Sequence, residues 1–327
     1  MRASPGLVAV LTLALLLAAC GGGDDDDDGA AEGDEEATDA ADEPGEAPTP
    51  AAGSDGERFP SEGCGSDPAF PAGFSRQTIG TGGQQRTHRL HVPGVHDGET
   101  PVPLVLSLGG YTTDADLHEE ISDFEDLGES EGFVVATPDP LNDPRAWDTG
   151  EGSYDVVFMT DLLDALEAGL CVDLSRVYAS GLSLGAIFTS RLACDLGDRL
   201  AAIGPVAGVR FAAGCDPGHA MPVISIHGTV DDLVPFDSGL EGAREWAEHN
   251  DCTGESVDET ISDHVVAQVY EEGCAAPVEL WVVNGGGHSW PGDDFLGGVN
   301  PAATTTEIDA TQVIWEFLRQ FSLPSAG

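Results

Sequence analysis

Short apolar runs alternate with amphipathic segments along most of the chain. Seven runs are rich in β-branched residues and bounded by Gly or Pro, as buried parallel strands are. These runs are 87–92, 103–109, 133–138, 176–181, 201–208, 222–228 and 278–284. Apolar residues recur at helical spacing in 153–170, 185–196, 238–250 and 306–321. The alternation predicts an α/β fold, with a mostly parallel central sheet and helices on both faces.

The N-terminal pattern is different. Residues 6–19 form an apolar run that is too short to span a bilayer but has the length of a secretory signal. The run ends in LAAC (17–20) and resembles a bacterial lipobox, in which cleavage precedes Cys20 and that thiol is lipidated. The alternative is a plain export signal cut after a small residue. We predict a lipoprotein signal peptide over 1–19 and a lipid anchor at Cys20, since several acyl chains hold a protein stably on a membrane.

An acidic stretch follows the predicted anchor. Residues 21–60 hold 15 acids, one Arg and almost no large apolar side chains. Such a segment cannot bury enough apolar surface to offset its chain entropy. The Asp run at 24–28 lacks the alternating ligands and closing Glu of a calcium loop. We therefore predict a disordered tether over 20–60, followed by one domain over 61–325.

Acidity extends through the whole chain. The formal net charge is −47, and the chain has no lysine, so its 12 basic residues are all Arg. Most of that charge falls after residue 60. A strongly negative protein is repelled by nucleic acid and by anionic lipid surfaces, and we expect neither as a partner.

Six cysteines follow Cys20. An even number in an exported chain predicts three disulfides, whose pairing the spacing leaves open. The six are Cys64, Cys171, Cys194, Cys215, Cys252 and Cys274. Zinc is the alternative, but no C-x-x-C or H-E-x-x-H spacing occurs, so we predict no metal. The segment GTGGQQR (80–86) lacks the G-x-G-x-x-G pattern, and we predict no cofactor.

The stretch GLSLG (181–185) matches G-x-S-x-G, a weak motif by itself. An apolar strand precedes it and a helical pattern follows it, which is the context of a nucleophile elbow. An ordinary glycine-rich turn that happens to contain a serine is the alternative. In the elbow, Ser183 stands above the sheet, and the helix N-terminus behind it favours developing negative charge.

The partners of a serine nucleophile occur downstream. His288 follows an apolar strand and three glycines, and it is the candidate base. Asp231 follows another strand and is the candidate acid, with Asp232 adjacent to it. The order Ser, Asp, His is that of α/β-hydrolases. Oxyanion donors are expected at the Leu184 N–H and in the loop after an early strand, at Gly110 or Tyr111.

Three blocks identify a family resemblance. RVYASGLSLGAIFTSRLACDLGDRLAAIGPVAG, ISIHGTVDDLVPF and LWVVNGGGHSWPG resemble the polyhydroxybutyrate-depolymerase-like esterases, relatives of feruloyl and acetyl-xylan esterases, over about residues 61–322. The resemblance implies an α/β-hydrolase with Ser183 as nucleophile, His288 as base and Asp231 as acid in preference to Asp232. The chain departs from the family at Gly109, where a His is usual. It also has Leu184-Gly185-Ala186 after the serine, where the family often has Asn-Gly-Gly.

The resemblance also implies disulfide pairs. They are Cys194–Cys215, which would tie the helix after the nucleophile to the following loop, Cys252–Cys274, and Cys64–Cys171 at the N-terminus.

Substrate signals are few. Trp290 and Trp147 either line the substrate pocket or pack under loops. Neither an apolar lid nor a separate polymer-binding module is apparent. We predict a secreted, lipid-anchored serine esterase at the extracellular face of the membrane, with release from the anchor left open. Its expected substrates are short-chain or hydroxybutyrate-oligomer esters. The alternatives are deacylation of ester-decorated plant polysaccharide and a non-catalytic lipoprotein on a hydrolase scaffold.

Overall fold

Ten strands form one sheet in the computed structural model, which describes residues 59–141, 143–212, 214–293 and 304–323. In chain order they are β1 (Gly73–Thr81), β2 (Gln84–Val92), β3 (Val102–Leu108), β4 (Val134–Pro138), β5 (Val172–Leu182), β6 (Ala202–Val206), β7 (Val223–Gly228), β8 (Val257–Thr260), β9 (Val265–Tyr270) and β10 (Val278–Val283). Their order across the sheet is β1-β2-β4-β3-β5-β6-β7-β10-β9-β8. The six central strands, from β4 to β10, are parallel. The strands outside them pair antiparallel.

Helices cover both faces of this sheet. They are α1 (Ala115–Ser122), α2 (Phe124–Glu131), α3 (Tyr154–Gly169), α4 (Leu184–Asp195), α5 (Phe236–His249) and α6 (Ala310–Leu318). Successive strand residues point to opposite faces, so β3 sends Leu104 and Leu106 into one core and Val105 into the other. The first core includes side chains of α3, α4 and α5, and the second includes those of α1, α2 and α6. The predicted α/β fold is confirmed.

The apolar pattern does not predict the sheet edges or the two shortest helices. Every residue of β8 is exposed, and β1 has only alternate residues partly covered, so neither has the apolar run of a buried strand. The eight residues of α1 and of α2 are rich in acids. These elements are short or exposed, and tertiary contacts stabilise them.

Two residues of the predicted tether contact β5. The Phe59 N–H donates to Asp173 Oδ1 at 3.2 Å, and the Leu174 N–H donates to the Phe59 carbonyl at 2.8 Å. Pro60 forms a β-bridge with Asp173. Residues 59 and 60, predicted as tether, therefore pair with β5. The predicted signal peptide, Cys20 and the rest of the tether lie outside the described residues, as do 324 and 325.

Three disulfides cross-link the domain. They join Cys64 to Cys171, Cys194 to Cys215, and Cys252 to Cys274, which are the pairs that the family resemblance implies. Within the described ranges, no three His, Cys, Asp or Glu side chains are grouped to hold a metal ion. Over the same ranges, no helix combines the length and apolarity needed to cross a membrane.

A buried ion pair anchors the start of α3. Arg86 on β2 lies 2.7 Å from Asp155, and both side chains are almost fully buried. The Arg86 guanidinium also stacks over Phe158 at 4.0 Å and donates to the Asp139 carbonyl. Burial raises the pKa of Asp155, and Arg86 opposes that rise. The second Asp155 oxygen accepts from the Asp148 N–H at 2.7 Å, so the pair also fixes the loop before α3.

Loss of Asp155 should destabilise the fold strongly. Asp155→Ala leaves the Arg86 charge buried and uncompensated, which costs about 3–5 kcal/mol in free energy of unfolding. Urea unfolding followed by circular dichroism measures the change. Asp164→Ala is the matched control, because Asp164 pairs with Arg199 at 2.9 Å but is largely exposed. The control should cost about 1 kcal/mol or less. Equal losses in the two variants would contradict the anchoring role.

Candidate active site

Ser183 lies at the sharp turn between β5 and α4. Its φ of 58° and ψ of −119° are a backbone conformation that residues with side chains rarely adopt. The Ser183 N–H donates to the Val206 carbonyl at 2.9 Å, and the Ser183 carbonyl accepts from the Ile187 N–H at 3.0 Å. These bonds hold the strained turn in place. The serine is only half-buried, at the carboxyl edge of the sheet.

The two glycines of GLSLG are required by a close backbone contact. A methyl group at Gly185 would lie 2.1 Å from the Leu108 carbonyl oxygen, and one at Gly181 would lie 2.7 Å from the same oxygen. Any side chain at either position would push β3 away from the turn. The motif therefore fits a strand-to-helix elbow and excludes the ordinary-turn alternative.

Strand order brings the predicted residues to one edge. Ser183 follows β5, Asp231 lies just after β7, and His288 lies in the loop after β10. These strands are parallel members of the run β5-β6-β7-β10. Carboxyl ends of parallel strands meet at the same edge, where open α/β sheets bind ligands.

His288 is oriented by a buried carboxylate. Its Nδ1 lies 2.7 Å from Asp231 Oδ2. The other Asp231 oxygen accepts from the N–H groups of Leu233 and Val234, both at 2.9 Å. Asp231 is buried whereas Asp232 is exposed, so geometry favours Asp231 as the partner of the imidazole. With Nδ1 held by the carboxylate, Nε2 is the nitrogen that can accept a proton.

The loop after β3 lies against Ser183. A methyl group at Gly110 would be 3.4 Å from the Ser183 Cβ. Leu184 is the first residue of α4, and its N–H has no acceptor within the helix. Tyr111 continues the loop with an exposed side chain. Of the predicted oxyanion residues, Leu184 therefore directly follows the serine and Gly110 lies against it.

The two tryptophans are buried. Trp290 is 1% exposed, and its indole N–H donates to Thr311 Oγ1 at 2.9 Å. Trp147 is 4% exposed, and its indole N–H donates to the Gly109 carbonyl at 2.8 Å. These contacts favour packing under loops over a position in an open substrate pocket.

A second imidazole faces the same carboxylate, which sequence reasoning did not identify. His227, at the end of β7, has its Nε2 3.3 Å from Asp231 Oδ2 and 2.9 Å from the Val234 carbonyl. Burial lowers the pKa of His227, more than the nearby Asp231 raises it. The neutral ring donates from Nε2 and helps to hold the Asp231 loop. Its only sequence signal is its place in the block ISIHGTVDD.

Together these groups suit attack on a carbonyl carbon. A serine hydroxyl needs a base to take its proton, and a histidine fixed by a carboxylate is that base in acyl-transfer enzymes. Backbone N–H groups beside the serine stabilise an oxyanion as it forms.

Comparison with known proteins finds esterases. No protein-family model matches the chain. It is 30% identical over 264 residues to the probable feruloyl esterase C of Aspergillus terreus, which covers 79% of this chain and 90% of that protein. It is 29% identical over 259 residues, or 71% of its length, to feruloyl esterase B of Piromyces equi. It spans 44% of that relative, less than half its length. The solved acetyl xylan esterase from Aspergillus awamori has a TM-score of 0.55 at 16% identity, over 66% of this chain and 94% of that one.

The sheet, the elbow and the fold similarity define an α/β-hydrolase. Within that class, the chain belongs to the feruloyl esterase family. It is a serine carboxylic-ester hydrolase.

The two adjacent aspartates should differ sharply in importance. Asp231→Asn removes the charge that orients His288, and we expect kcat for an ester to fall by about 10²- to 10⁴-fold. Asp232→Asn makes the same chemical change on an exposed neighbour and should leave kcat within about twofold. Steady-state hydrolysis of p-nitrophenyl acetate measures both. A larger loss in the Asp232 variant would overturn the geometric assignment.

Proposed function

We propose that Ser183, His288 and Asp231 form the catalytic triad of an esterase that removes feruloyl or other acyl groups from plant polysaccharide. The family relationship over 90% of the Aspergillus terreus protein carries this proposal. It favours the polysaccharide substrate over the hydroxybutyrate oligomers that the sequence analysis placed first. The contact between Asp231 and His288 supports the same chemistry.

Acylation begins at Ser183. His288 Nε2 takes the hydroxyl proton as Oγ attacks the ester carbonyl carbon, and a tetrahedral oxyanion forms. The Leu184 N–H and an N–H of the Gly110–Tyr111 loop stabilise that oxyanion. Collapse breaks the bond to the alcohol oxygen, which leaves with the proton from His288. The acyl group remains on Ser183.

Deacylation repeats the steps with water. His288 takes a proton from a water molecule, and the hydroxide attacks the acyl-serine carbonyl. The second oxyanion occupies the same site. Its collapse breaks the bond to Ser183 Oγ, which recovers its proton from His288, and the carboxylic acid leaves. Asp231 keeps its charge throughout and stabilises the imidazolium in both half-reactions.

Exposed apolar side chains beside the triad support a substrate with an apolar acyl part. Tyr111 is 55% exposed, Val230 is 61% exposed and Leu233 is 71% exposed. Tyr111 belongs to the oxyanion loop, and the other two flank Asp231. Large apolar side chains in water at a catalytic edge are a surface that an aromatic or alkyl group can cover. A feruloyl group has such an aromatic body.

A panel of esters tests the reaction and the acyl preference. The purified protein is assayed with methyl ferulate, with p-nitrophenyl acetate, butyrate and octanoate, and with a hydroxybutyrate dimer ester. We expect the highest kcat/KM for methyl ferulate or the acetate ester. Ser183→Ala should lower kcat by about 10³-fold or more for every substrate.

The controls separate the proposals. Ser180→Ala is the matched variant, because Ser180 lies on the same strand but is fully buried and donates to the Gly204 carbonyl. It should remain active. A preference for the hydroxybutyrate ester would replace the polysaccharide substrate with a polyester one. A folded wild-type protein that hydrolyses none of the esters would refute the catalytic proposal.

We also propose that the protein is exported and held at the extracellular face of the membrane through Cys20, with some protein released. The apolar run before LAAC supports the anchor, and three disulfides support an oxidising location. The acidic stretch before residue 59 would keep the domain away from an anionic membrane surface.

The mature N-terminus distinguishes an anchor from a plain export signal. Mass spectrometry of protein from a bacterial host that processes lipoproteins should find a chain that begins at Cys20 and carries the mass of two or more acyl chains. Cys20→Ser should remove that mass and shift the protein from the membrane fraction to the soluble fraction. A wild-type N-terminus without acyl mass would contradict the anchor.

A further inference from the structure

The oxyanion loop of this chain begins with two consecutive glycines. Gly109 and Gly110 carry no side chain, so their backbone is free to adopt many conformations. The peptide between them can rotate unless something outside the loop holds it. An oxyanion donor is useful only when it already points at the position of the developing charge. Within the loop the Thr113 N–H donates to the Gly110 carbonyl at 3.2 Å, and that bond does not involve the Gly109 carbonyl. The 109–110 peptide therefore needs a restraint from outside the loop.

Trp147 supplies a restraint on that peptide. Its indole Nε1–H donates to the Gly109 carbonyl oxygen at 2.8 Å. The side chain is almost completely buried, so water does not compete for the bond. In a trans peptide the carbonyl and the following N–H point in opposite directions. A fixed Gly109 carbonyl therefore fixes the direction of the Gly110 N–H.

The restrained peptide lies beside the nucleophile. A methyl group at Gly110 would come within 3.4 Å of both the Ser183 Cβ and the Leu182 carbonyl oxygen. A rotation of the 109–110 peptide would therefore turn an N–H group in a loop that packs against Ser183.

Trp147 also packs against α4, the helix that follows Ser183. Its ring stacks on Phe188 with centroids 4.9 Å apart and planes 11° from parallel. Phe188 is fully buried on α4, the helix that begins directly after Ser183. The next residue of the same segment, Asp148, donates its N–H to the buried Asp155 carboxylate at 2.7 Å. One rigid ring thus connects the oxyanion loop to the helix that carries the nucleophile.

A second contact holds the same two segments together. The Thr112 N–H donates to the Arg145 carbonyl at 2.9 Å, and the Arg145 side chain pairs with Asp114 at 2.7 Å. Thr112 has a φ of 66°, so this bond stabilises a left-handed residue in the loop. Segment 145–148 therefore contacts the oxyanion loop at two points, through Arg145 and through Trp147.

We propose that Trp147 is a positioning residue for the oxyanion hole, through its hydrogen bond to the Gly109 carbonyl. The inference rests on the proposed triad chemistry. It replaces the roles that the sequence analysis considered for Trp147, a pocket wall or simple packing. Because the negative charge develops on this oxygen as the tetrahedral species forms and is absent from the bound ester, the bond should influence kcat and leave substrate binding nearly unchanged.

Trp147→Phe isolates the hydrogen bond. Phenylalanine keeps an aromatic ring against Phe188 but has no N–H for Gly109. We expect kcat for p-nitrophenyl acetate to fall by about 10- to 100-fold, less than the loss of a donor itself. KM should stay within about threefold. Affinity for a trifluoromethyl ketone, whose adduct with Ser183 carries an oxyanion, should fall by a similar factor.

Trp246→Phe is the matched control. Trp246 is fully buried on α5, and its indole N–H donates to the Arg210 carbonyl at 2.8 Å, the same bond outside the loop. It should lose comparable thermal stability and keep kcat within about twofold. Equal kcat losses in the two Phe variants, or an unchanged kcat in Trp147→Phe, would overturn the inference.

Trp147→His tests whether a restored N–H donor rescues kcat. It also tests the inference if Trp147→Phe does not fold. The imidazole can place Nε2 where the five-membered ring of indole carries Nε1, so it restores the donor. Its kcat should be several-fold above that of Trp147→Phe, or within about tenfold of wild type where the Phe variant does not fold. A larger loss would count against the inference. Wild-type and Ser183→Ala proteins measured beside them keep the two proposals distinct, since equal activity in those two refutes the triad itself.

Discussion

The end of β3 passes directly over the turn that carries Ser183, and the site depends on this backbone contact. The Leu108 carbonyl lies where a methyl group at Gly181 or Gly185 would be, so only glycine permits the approach. Because the contact is between backbones, no side chain can relax to accommodate an error. It sets the position of the following loop relative to the nucleophile. The backbone contact therefore places the start of the oxyanion loop beside the serine elbow, and the Trp147 bond fixes the direction of the peptide that follows.

This protein has few basic residues, and several of its arginines pair with acids where separate segments pack together. Arg86 fixes Asp155 at the start of α3, and Arg145 pairs with Asp114 beside the oxyanion loop. Arg89 bridges β2 to α1 and α2 through Asp116 and Glu125. The planar guanidinium can satisfy several acceptors at once, which a lysine ammonium does less well. In an acidic chain these pairs also remove carboxylate repulsion where the segments must pack closely.

Sequence patterns predicted the centre of this fold better than its edges. Strands such as β3 and β5 are buried on both faces, so their apolar runs are visible without any partner. The edge strand β8 has the sequence VDET and is exposed throughout, so nothing in its composition marks it. Its pairing with β9 exists only because the rest of the sheet supplies an edge.

The candidate site also has parts that the sequence predicts and parts that depend on tertiary structure. The elbow at Ser183 follows from local spacing, and the chain order of the acid and the base follows from the strand pattern. The choice between Asp231 and Asp232 does not follow from spacing. The family resemblance favours Asp231, and in the structure Asp231 is the carboxylate that contacts a histidine 57 positions away. The bond from Trp147 to Gly109 spans 38 positions and depends on the packing of α4. Contacts of that kind are set by tertiary structure and leave no local signal.

Charge connects the site to the proposed reaction. Hydrolysis converts a neutral ester into an alcohol and a carboxylic acid, and near neutral pH that acid becomes an anion. The chain carries a net charge of −47, so its field repels this product while it leaves the neutral substrate unaffected. At physiological salt the field extends about 8 Å from each charge, far enough to act on a product leaving an open edge of the sheet. In the proposed mechanism Asp231 acts from a buried position, where backbone N–H groups and His288 satisfy its charge. The acidity that argues against nucleic acid as a partner is thus compatible with a reaction whose substrate is neutral.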